Sequence, residues 1–146
     1  MIHTRDTLKI NEKGHLEIGG ADCVGLAKRF GTPLYVFDEA YIRRMMGVYR
    51  DTIGREYAGN GLVLYASKAF ACEAIYAIAT QENIGVDVVS GGELYPALRA
   101  GVPAPTILMH GNNTPPHELS PALDAQTPCT AAPSPGAASL PESLAV

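Results

Sequence analysis

Lys68, Asp87 and His110 combine residue types and positions that suit chemistry. Lys68 follows the wholly apolar run Gly61–Ala66 (GLVLYA), which reads as a short strand. A lysine at the carboxyl end of a parallel strand stands where α/β folds place their active sites. Its neighbours Ala66, Ala69, Phe70 and Ala71 are apolar. That setting is expected to strip solvent from the amine and to favour the neutral form that condenses with a carbonyl group. The same position also suits a surface lysine that merely covers a strand end. Asp87 lies inside a second apolar run, Gly85–Val89 (GVDVV). A carboxylate among valines is costly if buried alone. It therefore faces solvent or a polar site, and Lys68 on the adjacent strand is its expected partner. His110 closes a third run, Thr106–Met109 (TILM), and opens His110-Gly111-Asn112-Asn113. An imidazole there can stack on or hydrogen-bond a ligand, or it can be structural. Ser90-Gly91-Gly92-Glu93 offers backbone N–H groups to an anion, or simply makes a tight turn. Polar clusters at three successive strand ends point to one site.

The elements between these clusters are helical. Ala69–Thr80 is an apolar helix, and Gly92–Ala100 is a second, ended by Gly101 and Pro103. Continuous apolar strands separated by helices predict parallel strands with both faces covered. They fit the βα units of a barrel or of a doubly wound sheet, and periodicity does not separate the two. Upstream, TLKINEKGHLEI alternates apolar and polar residues around Lys13-Gly14, a hairpin signal. Ala21–Phe30 reads as a helix stopped by Gly31 and Pro33, and Leu34–Phe37 as a short strand. Asp38 is the expected N-cap of a helix running to about Ile53, with Gly54 as its stop.

Composition narrows the partners. The 146 residues carry a net charge of −4, and all 11 basic residues precede position 100. No basic patch is available to neutralise phosphates, so a nucleic-acid partner is not expected. No apolar stretch is long enough to span a bilayer, and MIHTRDTLKI has no secretory h-region. Cys23, Cys72 and Cys129 are far apart, which argues against a disulfide framework and for a reducing, cytoplasmic setting. His110, His117 and Cys129 lack zinc-site spacing, so no metal is expected. Residues 114–146 hold 7 of the 11 prolines and no aromatic or basic residue, which predicts a tail without regular structure from about Ala125. A helical turn is expected before it, around Pro116–Ala125.

Tyr65–Phe70 (YASKAF) resembles the cofactor-lysine motif of the alanine-racemase-type pyridoxal phosphate enzymes. GTPLYVFDEAYIR, YASKAF, GVDVVSGGEL and ILMHGNN, in this order, are similar to the diaminopimelate branch of the ornithine/diaminopimelate/arginine decarboxylase family. Thr7–Gly20, Leu26-Ala27 and Phe30-Gly31 resemble that branch's lead-in, so the likeness covers about residues 5–125. The resemblance implies an α/β fold: the N-terminal part of a pyridoxal-phosphate-binding (β/α)8 barrel, incomplete in this chain. Residues 34–113 would supply about three βα units, residues 1–33 a segment of a β-domain, and residues 114–146 the tail. It implies that Lys68 is the catalytic lysine carrying pyridoxal 5'-phosphate as a Schiff base, with Asp87 and His110 as further cofactor-binding residues. The implied reaction is decarboxylation of meso-diaminopimelate to L-lysine, with the cofactor as electron sink, in a homodimer. The alternatives are a related ornithine- or arginine-type decarboxylase, or a truncated or frameshifted, non-catalytic barrel fragment. The last is suggested by TPCTAAPSPGAASLPESLAV, which resembles nothing in the family.

Overall fold

The structure, a computed structural model, describes residues 7–114, 120–122 and 124–133. The chain divides between Met45 and Met46 into two compact units.

The first unit contains the expected hairpin. Strands β1 (Leu8–Ile10) and β2 (Leu16–Ile18) pair antiparallel, with Leu8 opposite Ile18. Asn11 shapes the connection: its Oδ1 accepts from the backbone N–H of Lys13 and of His15, both at 3.0 Å. Gly14 sits at φ 74°, which a residue with a side chain adopts only with strain. A third strand, β3 (Ala21–Asp22), pairs with β2 where the sequence pattern predicts the start of a helix. That helix, α1 (Cys23–Phe30), starts two residues late because Asp22 is its N-cap. The Asp22 carboxylate accepts from Val24 N at 2.8 Å and Gly25 N at 3.1 Å. Gly31 ends the helix as expected, its N–H reaching Ala27 O at 2.8 Å. Leu34–Phe37, read as a strand, forms none; Tyr35 is 88% exposed. Asp38 caps α2 (Glu39–Glu56) through Tyr41 N at 3.1 Å, and that helix runs past Gly54.

The Asp22 network carries a pH dependence. His15 Nδ1 lies 2.9 Å from the carboxylate, and Asn11 Nδ2 donates at 3.2 Å. The His15 contact first, then the helix N–H groups, hold Asp22 well below the usual carboxylate range. A value depressed in the folded state contributes stability above the ordinary carboxylate pKa of about 3.9, and that stability is lost as pH falls through the folded value. Asp22→Asn is therefore expected to lower stability at neutral pH and to flatten its loss below about pH 4. Urea midpoints as a function of pH check this; an acid limb as steep in the variant as in wild type contradicts it.

In the second unit, β4 (Leu64–Ala66), β5 (Gly85–Val88), β6 (Ile107–Thr114) and β7 (Cys129–Pro133) form one parallel sheet in chain order. Helix α3 (Glu73–Gln81) links β4 to β5, and α4 (Gly91–Arg99) links β5 to β6. Side chains alternate across the sheet. Val86, Val88, Ile107 and Met109 are buried, as are Ile75, Tyr76 and Ala79 of α3 and Leu94 and Ala97 of α4. On the other face Leu64, Ala66, Asp87, Leu108 and His110 are only half-buried. Only one face is thus fully covered, not both as the apolar runs predict. Helices confined to one side of sequentially ordered parallel strands are the arrangement of a barrel. A doubly wound sheet reverses its strand order and covers both faces.

Strand β7 corrects the expectation of an unstructured tail beginning at Ala125. Its ladder pairs Met109 with Cys129 and His110 with Thr130, and Met109 N donates to Pro128 O at 2.9 Å. Ahead of it, Ala122 and Thr127 are buried, and Thr127 Oγ1 donates to Ala122 O at 2.9 Å. The ladder is made by main-chain groups, which composition does not register. Residues 120–122 and 124 are helical, inside the expected turn. Residues 115–119, 123 and 134–146 of the expected tail lie outside the described residues.

Candidate active site

The parallel register brings the three singled-out residues to one end of the sheet. Ala66 lies opposite Asp87, and Asp87 opposite Leu108. His110, two residues beyond Leu108, shares its face because side chains repeat every second residue. Strand β4 ends at Ala66, and the chain turns through one 3₁₀ turn, Ser67–Ala69, which carries Lys68. Lys68 thus follows the end of β4 and Asp87 lies one residue before the end of β5, whereas His110 lies inside β6, which continues to Thr114 instead of closing at Met109 as the apolar run predicts.

Their pairing differs from the sequence expectation. Asp87 does not pair with Lys68. Instead, His110 Nε2 lies 2.7 Å from Asp87 Oδ1, with side-chain exposures of 45% and 25%. The contact has the length of an ion pair without the alignment of a hydrogen bond, so Asp87 Oδ1 is buried yet accepts none. The reason is register: Asp87 and His110 occupy the same face of neighbouring strands, whereas Lys68 lies past the strand in a turn. Lys68 is exposed and has no hydrogen bond or ion pair among the described residues. Its apolar neighbours do not desolvate it, because Ala69, Phe70 and Ala71 are exposed with it. Residues adjacent along a turn lie beside the amine rather than over it.

The turn has supports that sequence reasoning missed. Tyr65 donates its hydroxyl to Phe70 O at 3.1 Å, tying the two ends of the turn together. Ser67 and Tyr76 are buried, and neither hydroxyl makes an aligned hydrogen bond. Burial pushes the Tyr76 phenol up, and the Ser67 hydroxyl beside it partly offsets this. Burial likewise pushes the Tyr65 phenol up. The signal available in the sequence was the helical spacing of Ile75, Tyr76 and Ala79, which marks the inner face of α3. Ser90-Gly91-Gly92 opens α4, and Glu93 folds back so that its Oε2 accepts from Val89 N at 2.8 Å. A carboxylate already sits at that helix start, which favours the tight turn over an anion site. The side chain of Asn112 and all of His117 lie outside the described residues.

An exposed primary amine near a carboxylate–imidazole pair suits covalent capture of a carbonyl compound. Among the described residues no three His, Cys, Asp or Glu side chains are grouped to hold a metal ion. No helix among them is long and apolar enough to cross a membrane.

Comparison with known proteins agrees with this geometry. Residues 40–135 match the family model described as pyridoxal-dependent decarboxylase, pyridoxal binding domain. The chain is 50% identical over 128 residues to diaminopimelate decarboxylase of Bacillus methanolicus, covering 88% of this chain and 29% of that one. It is 46% identical over 126 residues to the Bacillus subtilis (strain 168) enzyme of the same name, covering 84% and 28%. Among solved structures, diaminopimelate decarboxylase from M. jannaschii in co-complex with L-lysine superposes with a TM-score of 0.73 at 36% identity, covering 84% of this chain and 29% of that one. The chain thus spans under a third of the length of these relatives. With one family model covering both the lysine-bearing turn and the strands beside it, the chain belongs to the pyridoxal-dependent decarboxylases, as part of their pyridoxal-binding barrel domain.

Proposed function

We propose that this chain supplies the cofactor-lysine segment of a diaminopimelate decarboxylase, which converts meso-diaminopimelate to L-lysine and carbon dioxide. In this reading Lys68 holds pyridoxal 5'-phosphate covalently, and Asp87 and His110 contact the cofactor. The observation that carries it is the amine of Lys68 at the end of β4, exposed and without a hydrogen bond or ion pair among the described residues. The residues fit the group. A free amine is the partner that an aldehyde requires, and Asp87 has a buried oxygen with no hydrogen bond. When bound, the cofactor supplies a ring that accepts the electron pair left as carbon dioxide departs. The chain's own part is to hold the aldehyde carbon at Lys68 and to present Asp87 and His110 on the same sheet end. The substrate assignment is supported by curated relatives that carry the diaminopimelate decarboxylase name. A cytoplasmic homodimer belongs to the same proposal.

Borohydride trapping tests the assignment. Pyridoxal phosphate is added, the complex is reduced, and peptides are mapped. Label is expected on Lys68 and absent after Lys68→Ala. Lys9, Lys13 and Lys28 are exposed too, so exposure alone would label all four. Label spread evenly over the four lysines refutes the site. In an assembled enzyme containing this segment, turnover of ornithine or arginine in place of meso-diaminopimelate refutes the substrate.

A further inference from the structure

We infer that His110 is a positioning residue that holds Asp87 away from Lys68, so that the lysine amine stays free to react. This rests on the reading of Lys68 as the carbonyl-capturing lysine. The geometry that carries it is the 2.7 Å contact between His110 Nε2 and Asp87 Oδ1, together with the absence of any other partner for either Asp87 or Lys68 among the described residues.

Neighbouring strands lie about 4.8 Å apart, so a lysine just beyond β4 can reach a carboxylate on β5. Asp87 is the registered partner of Ala66, two residues before Lys68. Without a competitor, this half-buried carboxylate would draw the ammonium of Lys68 into an ion pair. Such a pair favours the protonated form, and a protonated amine has no lone pair to offer. His110 occupies the carboxylate from the opposite side, on β6. Among the described residues, the other titratable groups around this turn are Tyr65, Cys72 and Glu93, each of which interacts with Tyr76. Glu93 is committed to Val89 N, and Tyr65 to Phe70 O. None of them makes a hydrogen bond or ion pair with Asp87 among the described residues.

The neutral amine nitrogen of Lys68 forms a bond to an aldehyde carbon, and the carbonyl oxygen leaves as water with both amine protons. Only the neutral amine starts this step, so the pH profile of labelling reports how strongly Lys68 is held protonated.

The test is the rate of borohydride-trapped labelling of Lys68 by pyridoxal phosphate between pH 6 and 10, in the full chain. His110→Gln is expected to move the pH of half-maximal rate upward by about one unit and to slow labelling at pH 7 about tenfold. The double variant Asp87→Asn/His110→Gln is expected to bring the pH of half-maximal rate back to the wild-type value, because no charge remains to capture the lysine, while its maximal rate falls with the lost cofactor contacts. This rescue separates positioning from misfolding, since a second substitution does not repair an unfolded chain. Wild-type labelling that spares Lys68 overturns the functional reading and this inference together. Lys68 labelling with the same profile in wild type and His110→Gln overturns this inference alone, as does a double variant whose pH of half-maximal rate stays with that of the single one.

Discussion

Gly85→Ala is expected to destabilise the second unit by about 3 kcal/mol, the upper range for forcing extra volume into a packed interior. Gly85 opens β5 between β4 and β6, and it is buried. A Cβ there would collide with the backbone oxygen of Thr106 and stand 2.6 Å from Leu64 Cδ2. The leucine can change rotamer, but the carbonyl belongs to the chain entering β6 and can move only with the strand. Gly85 also lies two residues before Asp87 and opposite Leu64 in the register. Pushing β5 away from β6 would therefore disturb the Asp87–His110 contact along with the core. Gly91→Ala is the control: nothing lies within 4 Å of its added carbon. Urea denaturation should separate the two, with the control shifted by less than about 1 kcal/mol. A Gly85→Ala chain as stable as wild type would mean that the strands do not approach as closely as described.

Where the sequence was legible, local chemistry decided the structure. The hairpin around Gly14, the capping of α2 by Asp38 and the stop at Gly31 depend on residues close in sequence, and they stand where expected. Strand β5 and helix α4 lie within a residue of the pattern-based boundaries, because short apolar runs set off by Gly and Pro leave little choice. Two of the misreadings involve partners distant in sequence. Leu34–Phe37 has strand composition but finds no ladder among the described residues. Cys129–Pro133 has the composition of a linker, yet it pairs along β6 through its main chain. The strand-end positions of Lys68 and Asp87 were legible from the order of apolar runs, whereas β6 continues past His110 to Thr114 because its main chain pairs with β7. The partner of Asp87 was not, because it depends on which residues of β5 and β6 register and on which face each one falls.

Tyr76 links that core to the site and should show it through two substitutions of opposite cost. Its ring is fully buried from α3, and its hydroxyl lies beside the Ser67 hydroxyl one residue before Lys68. Tyr76→Ala removes the ring and leaves a cavity, which is expected to cost about 3–5 kcal/mol. Tyr76→Phe removes only a hydroxyl that has no aligned hydrogen bond. Because an unsatisfied buried polar group is itself a penalty, that variant should change stability by less than about 1 kcal/mol, in either direction. The pH dependence adds an independent check. Burial pushes the Tyr76 phenol up, so its contribution is fully present below the ordinary tyrosine value of about 10 and is lost as pH rises through the folded value. Tyr76→Phe should therefore lose less stability than wild type on the alkaline side. Lys68 labelling should survive Tyr76→Phe and fall in Tyr76→Ala, whose Ser67–Ala69 turn loses the ring beneath it. If Tyr76→Phe costs as much as Tyr76→Ala, the hydroxyl rather than the ring holds the turn, and the packing argument is wrong.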